Sequence, residues 1–433
     1  MGEDLFRAIA ISASVLLVIG GLAGCARAGP AGGLASKADT VRSNKPRIAT
    51  PGVNAQDLSG LVAGNSRFAL ELYRALQSQE HNLFFSPYSI SVALAMTYSG
   101  ARGETERQMG DTLHFLEQSR LHPTFNLLEL ELASRAEDPQ REEGRFRLNV
   151  ANAIWGQKGF SFLPEFLDVL AQNYGAGLRV VDFHAPDQAR TIINEWVSEE
   201  TEGKITDLLP PNAVDTLTRL VLTNAIYFNA SWLHPFEEEL TKDGTFYLLD
   251  DIPISVPMMA QTESFGYGEG DGYQAVELPY AGMKLSMVVL LPEAGHFQAF
   301  ASGLDAERLG QILENIRSRQ VNLTLPKFTY ESQFSLSQTL TAMGMTAPFN
   351  AGADFSGMTG SRDLFIDDVI HKAFVAVDEA GTEAAAATAV VMRLKAAPAK
   401  PIDVTVDRPF LFCIRDIPTG TILFLGHVIN PQG

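Results

Sequence analysis

The side chains that most often do chemistry in proteins are scattered along this chain without a catalytic spacing. The sequence has no Gly-x-Ser-x-Gly turn for a nucleophilic serine. Gly203 and Lys204 lack the glycine-rich loop of a phosphate site, and Glu199, Glu200 and Glu202 fit the solvated end of a helix. No two of the eight histidines have the helical spacing of a metal site; they are His81, His114, His122, His184, His234, His296, His371 and His427. These patterns support neither an enzyme nor a metal or other cofactor.

The two cysteines have unrelated surroundings. Two thiols are too few for a disulfide framework or a multi-cysteine zinc module. Cys413 lies inside the apolar run Phe410–Ile414, where a small buried side chain is the ordinary role and a nucleophile is the alternative. Cys25 follows a different apolar run near the first residue and belongs to another pattern.

The first 28 residues have the pattern of an export signal. The apolar run Ala8–Gly21 is too short to cross about 30 Å of hydrocarbon, but it fits a signal-peptide core. Leu22–Cys25 resembles a bacterial lipobox, in which the cysteine becomes the lipid-bearing first residue; ordinary cleavage at Ala26–Ala28 is the alternative. We therefore expect a signal peptide over residues 1–24 and a lipid anchor at Cys25. The protein would then be exported and held on the cell envelope, or released outside the cell.

The segment Glu379–Val391 combines features of a strand and of an exposed loop. Four successive alanines, Ala384 to Ala387, favour a helix, whereas Thr388 and the two valines favour a strand. Gly381 provides backbone freedom where a hinge would need it. We interpret the segment as suited to two states, an exposed loop and a strand buried in a sheet. An alanine-rich helix or linker is the alternative.

Apolar spacing around this segment predicts mixed helices and strands without a regular β-α-β alternation, which favours the α+β class. Helices are predicted from Asn65 onward, with that residue as cap, and over Pro87–Met96, Gln188–Glu200 and Leu336–Met343. Strands are predicted over Phe146–Trp155, Leu220–Phe228, Leu285–Leu291, Val321–Leu325, Phe410–Ile414 and Ile422–Val428.

Composition limits the class of protein and its partners. Apolar residues make up 46% of the 433 residues and charged residues 19%, as expected for a globular chain. The net charge of −18 argues against nucleic acid and anionic lipid as partners. Residues 25–56 are rich in small and polar side chains and are predicted to form a flexible spacer. No linker composition follows, so residues 57–433 are predicted to be a single domain, which we expect to be monomeric.

Six ordered motifs between residues 61 and 431 resemble the serpin family. They are Asn82–Ile90, Thr223–Trp232, Leu325–Phe328, His371–Glu379, Asp407–Phe410 and Gly426–Pro431. The resemblance implies a serpin fold of the α+β class, with three β-sheets, about eight or nine helices and an exposed reactive loop. Together with the lipobox, the motifs indicate a prokaryotic serpin carried as a lipoprotein.

The resemblance implies a suicide-substrate inhibitor of serine, or sometimes cysteine, proteases and not an enzyme. The protease would cut the exposed loop and become acylated, and the freed hinge would insert into the main sheet and distort the trapped protease. The target protease, bound covalently, is then the partner, and the native fold is metastable. A non-inhibitory serpin that binds or stores a ligand is the alternative, which bulky or charged hinge residues would favour.

The resemblance also assigns residues to the inhibitory machinery. The hinge comprises Glu379, Gly381, Thr382, Ala384, Ala385, Ala386 and Ala387. A polar cluster under the main sheet comprises Ser86, Ser89, Asn224 and His371. An ion pair at the base of the loop joins Lys327 to Glu379, and Trp232 packs beside it.

The family spacing puts the cut about 14 residues after the hinge glycine, between Lys395 and Ala396, with Arg393 and Leu394 as the second choice. A basic residue before the cut predicts a trypsin-like target, because such enzymes have an acidic specificity pocket.

Overall fold

Two β-sheets and ten α-helices make up the part of the chain that the computed structural model describes, residues 38–77, 80–135, 147–382 and 400–433. The helices are α1 (Ala55–Leu76), α2 (Pro87–Tyr98), α3 (Gly103–Leu113), α4 (Gln118–Ser134), α5 (Pro164–Tyr174), α6 (Pro186–Glu200), α7 (Phe297–Ser302), α8 (Ala306–Asn315), α9 (Ser337–Ala342) and α10 (Ser356–Thr359).

The strands form a seven-stranded sheet in the order β1-β4-β3-β5-β13-β12-β11 and a nine-stranded sheet in the order β14-β10-β7-β8-β9-β15-β16-β2, with β6 paired to β7. Their bounds are β1 (Asp39–Val41), β2 (Leu83–Phe85), β3 (Arg147–Gln157), β4 (Leu178–Val181), β5 (Leu220–Ser231), β6 (Lys242–Tyr247), β7 (Pro253–Gly270), β8 (Tyr273–Pro279), β9 (Leu285–Pro292), β10 (Arg317–Pro326), β11 (Phe328–Ser335), β12 (Asp368–Val377), β13 (Gly381–Thr382), β14 (Ile402–Thr405), β15 (Phe410–Asp416) and β16 (Ile422–Val428).

The long strand β7 explains why the hydrogen bonds define two sheets where three were expected. Its first residues pair with β6, its middle with β10 and its last residues with β8. One strand of 18 residues thus belongs to two smaller groups of strands and joins them. The α+β class is confirmed, and the described ranges alone contain ten helices, slightly more than the eight or nine expected.

Helix α2 positions the centre of the molecule. All twelve of its residues are buried, and it contacts β3 and β5 of one sheet and β16 of the other. Its predicted start is confirmed, since the Ser86 hydroxyl accepts a hydrogen bond from the Ser89 N–H at 3.1 Å and Pro87 occupies the first turn. The polar side chains at the start of α2 are therefore held under the seven-stranded sheet.

Helix α1 begins eleven residues earlier than predicted. Its cap is Asn54, whose side chain accepts from the Asp57 N–H at 2.8 Å, and the helix starts at Ala55. Asn65 lies buried in mid-helix, and its amide atoms have no hydrogen-bond partner among the described residues. The pair Asn54 and Asp57 is a capping signal that the apolar spacing did not reveal.

The predicted flexible spacer over residues 25–56 differs from the structure in its second half. Residues 39–41 form β1, an antiparallel edge strand on β4. Lys45 then forms an ion pair with Asp168 at 2.7 Å, and the Ile48 N–H donates to Gln172 O at 2.9 Å. These contacts use backbone groups and charges, so the segment needs no apolar period to join the domain. The folded part of the chain therefore begins before residue 57.

Candidate functional site

The two-residue strand β13 lies at one end of the seven-stranded sheet, between β5 and β12. Gly381 and Thr382 face Ser231 and Ala230 of β5, and Thr382 faces Val377 of β12. Over the rest of their length β5 and β12 pair directly with each other as parallel neighbours. We call this junction of β5 and β12 the seam, and β13 occupies its open end.

Glycine is required at residue 381 by the closeness of β5. A Cβ atom there would overlap the carbonyl oxygen of Ala230 and would lie 2.8 Å from the Cα of Ser231. Real Cβ atoms do not approach backbone so closely, so any side chain would push β13 out of the seam. The glycine that the sequence indicated as a hinge thus acts here through close backbone approach, and not through a positive φ.

An ion pair fixes the turn that leads into β13. Lys327 Nζ lies 2.6 Å from Glu379 Oε2, and Thr241 Oγ1 donates to Glu379 Oε1 at 2.7 Å. Burial alone would raise the pKa of Glu379, but the hydrogen bonds from Lys327 and Thr241 outweigh it and lower the pKa below its ordinary value. Glu379 therefore stays a carboxylate at neutral pH. The predicted pair is brought together, and Thr241 is a partner that the sequence did not reveal.

Trp232 and Tyr280 hold the other side of this turn. Trp232 donates from Nε1 to Asp378 O at 3.0 Å and from its backbone N–H to Ala380 O at 2.9 Å. Its ring stacks on Tyr280 with centroids 4.6 Å apart, and the Tyr280 hydroxyl lies 2.7 Å from Thr382 Oγ1. Thr382 is consequently fully buried and hydrogen-bonded. Tyr280 directly follows β8, and no motif signalled it.

A polar cluster lies under the seam, and we call it the latch: Ser86, Ser89, Asn152, Asn224 and His371. His371 and Asn224 are directly opposite each other on β12 and β5, and His371 Nδ1 bonds Asn224 Oδ1 across the seam. The Asn224 amide donates to Ser89 Oγ at 2.5 Å and also to Asn152 Oδ1. Sequence reasoning found four of the five residues and missed Asn152, which β3 supplies.

The protonation state of His371 follows from these contacts. The Ser86 N–H donates to His371 Nε2 at 3.2 Å, so Nε2 must be the unprotonated nitrogen and Nδ1 the donor to Asn224. Burial lowers the pKa of His371 to about 3. A neutral imidazole therefore bridges the two strands that must separate if the seam is to open.

Several predicted site residues lie outside the described part of the chain. They are the lipid-anchor Cys25, the hinge alanines Ala384, Ala385, Ala386 and Ala387, and the candidate cut-site residues Arg393, Leu394, Lys395 and Ala396. Within the described ranges, no three His, Cys, Asp or Glu side chains come close enough to hold a metal ion. Of the helices in those same ranges, none has the length and apolar character needed to cross a membrane.

The chain is similar to known proteins over nearly the whole of its folded part. The model of the family described as Serpin (serine protease inhibitor) matches residues 63–431. An uncharacterised serpin-like protein of Thermococcus kodakarensis is 42% identical over 376 residues, which are 86% of each chain. The leukocyte elastase inhibitor of Sus scrofa is 43% identical over 384 residues, 86% of this chain and 99% of that one.

A solved structure agrees with these relatives. The thermophilic serpin tengpin in its native state matches with a TM-score of 0.80 and 28% identity, over 91% of this chain and all of tengpin. The family match, the relatives and the fold lead to one conclusion. The chain belongs to the serpin family.

Proposed function

We propose that this serpin is a suicide-substrate inhibitor of serine proteases, with cysteine proteases as the alternative target class. One observation carries the proposal: Gly381 and Thr382 already occupy the open end of the seam, antiparallel to both neighbouring strands. Cleavage of the loop would free the residues that follow to continue into the same seam. The protease, still bound as an acyl-enzyme, would be dragged along and distorted before hydrolysis is complete.

The register of β13 defines where the inserted residues would go. Continuing the pairing with β5 puts Ala384 opposite Phe228 and Thr388 opposite Asn224. Continuing the pairing with β12 puts Thr388 opposite His371, so both registers lead to the latch. Side chains alternate along a strand, so Thr382, Ala384, Ala386 and Thr388 would all face the same side.

The side that these residues would face is the buried one. Ala230, Phe228 and Val375 on that side are buried, which small hydroxyl or methyl side chains can match without clashes. Glu383 would instead lie between Asn229 and Ala376, which are both only partly buried. The small residues at the positions that would face the buried side, and the charge of Glu383 on the other side, therefore fit insertion better than they fit a plain linker.

Insertion has a clear source of free energy. In the native seam β5 and β12 pair as parallel strands, and an inserted strand would run antiparallel to both and add hydrogen bonds on both sides. The native state would then be held kinetically by the latch and by the contacts of Glu379.

Cutting the loop is expected to raise the melting temperature of the protein. If the nicked protein melts at the same temperature as the intact one, the result would favour a non-inhibitory binding protein.

The first experiment is incubation with a panel of serine proteases followed by an SDS gel. The wild type should form an SDS-stable complex, and Thr382→Arg should be cleaved without one, because its guanidinium would not fit the buried open end of the seam through which insertion must proceed. Glu383→Arg is the matched control, since the same charge would face the partly exposed side. A persistent complex with Thr382→Arg, or equal loss in both variants, would contradict the proposed register.

We propose that the cut falls between Lys395 and Ala396, with Arg393 and Leu394 as the second choice, and that the target is trypsin-like. A basic side chain before the cut suits an acidic specificity pocket. Mass spectrometry of the peptide released from the complex tests this assignment. A peptide that begins at any residue other than Ala396 would exclude the first choice.

We further propose that Cys25 carries the lipid that tethers an exported, monomeric inhibitor to a prokaryotic membrane. The apolar run Ala8–Gly21 and the lipobox-like Leu22–Cys25 support this. Cys25→Ser should move the protein from the membrane fraction to the soluble fraction and abolish its labelling by radioactive palmitate. If wild type and variant are both soluble and both unlabelled, the result would instead favour cleavage at Ala26–Ala28.

A further inference from the structure

A cavity of about 490 Å³ opens on the nine-stranded sheet, away from the seam. It lies where three segments meet: the turn between β6 and β7, the start of α7, and the link between β14 and β15. Leu248, Leu249, Phe297 and Pro409 supply its apolar walls, and the exposed ring of Tyr247 stands at the rim. Its volume is within the range of about 300–1,000 Å³ that is typical of small-ligand sites.

Backbone hydrogen bonds hold the three segments in place. The Tyr247 N–H donates to Asp407 O at 2.7 Å, and the Leu248 N–H donates to Ile252 O at 2.9 Å. Arg408 Nε donates to Pro292 O at 2.8 Å, which ties the β14–β15 link to the end of β9. The cavity is therefore formed by fixed segments and needs no rearrangement to accept a ligand.

The charges around the cavity are predominantly negative. Three carboxylates line it, from Asp251, Glu293 and Asp407, against the single guanidinium of Arg408. Arg408 already pairs with Asp407, with Nη1 and Oδ1 2.8 Å apart. Asp251 and Glu293 form no ion pair with any residue in the described ranges. Two carboxylates are thus left without a counter-charge beside an apolar cavity with aromatic side chains.

We propose that this cavity binds a small organic cation with an aromatic or aliphatic body. The apolar walls would bury the body of the ligand, and Phe297 and Tyr247 offer π-faces to an ammonium group. Asp251 and Glu293 would neutralise the charge and favour a cation over a neutral or anionic molecule of the same shape. No residue of the seam or latch lines the cavity, so the two sites share no side chains.

Isothermal titration with three indoles of similar shape tests the charge preference. Tryptamine carries the cation, tryptophol is neutral and indole-3-propionate is anionic. Tryptamine should bind about tenfold more tightly than tryptophol and more tightly still than indole-3-propionate, since a charge-assisted contact has about that effect. Equal affinity for all three, tighter binding of indole-3-propionate, or no binding of tryptamine would overturn the proposal.

Variants locate the site. The double variant Asp251→Asn with Glu293→Gln should weaken tryptamine about tenfold and leave tryptophol nearly unchanged. Asp251 has a φ of 61°, a conformation that asparagine adopts readily, so this exchange should preserve the turn. Glu314→Gln removes an exposed carboxylate of α8 outside the cavity and should leave all affinities unchanged. An unchanged tryptamine affinity in the double variant would exclude this cavity as the site.

Discussion

At the scale of single residues, Glu379 forms the ion pair that anchors the described start of the hinge. Its side chain is only 10% exposed and is held by Lys327 and Thr241, whereas the ion pair of Glu104 with Arg107 is exposed on both sides. Identical exchanges of glutamate for glutamine at these two positions should therefore have different effects. The difference separates a contact that anchors the loop from one that lies in solvent.

Glu379→Gln should lower the free energy of unfolding at pH 7 by about 1–3 kcal/mol, because a buried charge-assisted hydrogen bond is lost. The folded-state pKa of Glu379 is lowered, so its stabilising contribution is present above the ordinary carboxyl pKa and disappears as the pH falls through the lowered value. The gap between wild type and variant should accordingly shrink in acid. Thermal melts at pH 7 and pH 3.5 measure it, with Glu104→Gln as the control expected to change little. A gap as large at pH 3.5 as at pH 7 would exclude the ion pair as its cause.

Sequence reasoning at this scale found residues inside recognisable motifs and missed their partners. Ser86, Ser89, Asn224 and His371 belong to ordered motifs, and the structure brings them together. Asn152, Tyr280 and Thr241 lie outside those motifs and reach the site only through sheet pairing or packing. Pairing between distant strands depends on register, which a single sequence does not specify.

At the scale of elements, residues 39–48, which precede α1, contact helices α4 and α5 and the strand β4. Arg47 donates from Nε to Asn126 at 2.8 Å and pairs with Glu129 at 3.1 Å, while Lys45, which is more exposed than Arg47, pairs with Asp168. Burial raises the pKa of Glu129 even though Arg47 opposes that shift. Arg47 thus stabilises the charged form of a carboxylate that burial destabilises. Lys45 has no such role.

Arg47→Ala should therefore destabilise the fold more than Lys45→Ala does. The loss for Arg47→Ala is expected to be about 1–2 kcal/mol, because Glu129 and Asn126 each lose a partner in a partly buried site. Lys45→Ala should have a smaller effect, since more than half of the Lys45 side chain is exposed. Urea denaturation of both variants provides the comparison. Equal stabilities would indicate that the segment contributes only through β1.

At the scale of the whole molecule, the sequence predicted the class of fold but not the extent of the folded part. Apolar runs such as Ile422–Val428 and Phe410–Ile414 are strands with nearly the predicted bounds, because burial on both faces leaves an unmistakable pattern. The edge strand β1 has no such pattern, since it joins β4 through backbone hydrogen bonds. The sequence therefore does not predict edge strands that pair over a long sequence distance, nor the joining of two sheets through one strand.

The whole molecule should also be sensitive to acid, because three histidines in different parts of the core are buried as neutral bases. Burial lowers the pKa to about 4 for His122 and His427 and to about 3 for His371. An unfolded chain would protonate all three near pH 6.5, which the folded chain resists. The free energy of unfolding should therefore fall as the pH drops from about 6.5 to about 4.

The contribution of one histidine can be isolated with His371→Asn, which keeps a neutral polar group in the latch. Each histidine that is protonated only in the unfolded chain makes the free energy of unfolding fall by about 1.4 kcal/mol more per pH unit. Between pH 6 and pH 4, the plot of the free energy of unfolding against pH should therefore be shallower for the variant by about that amount. Urea denaturation across this range measures the slope. If His371→Asn keeps the wild-type slope, the latch does not resist protonation, and acid sensitivity must arise elsewhere in the molecule.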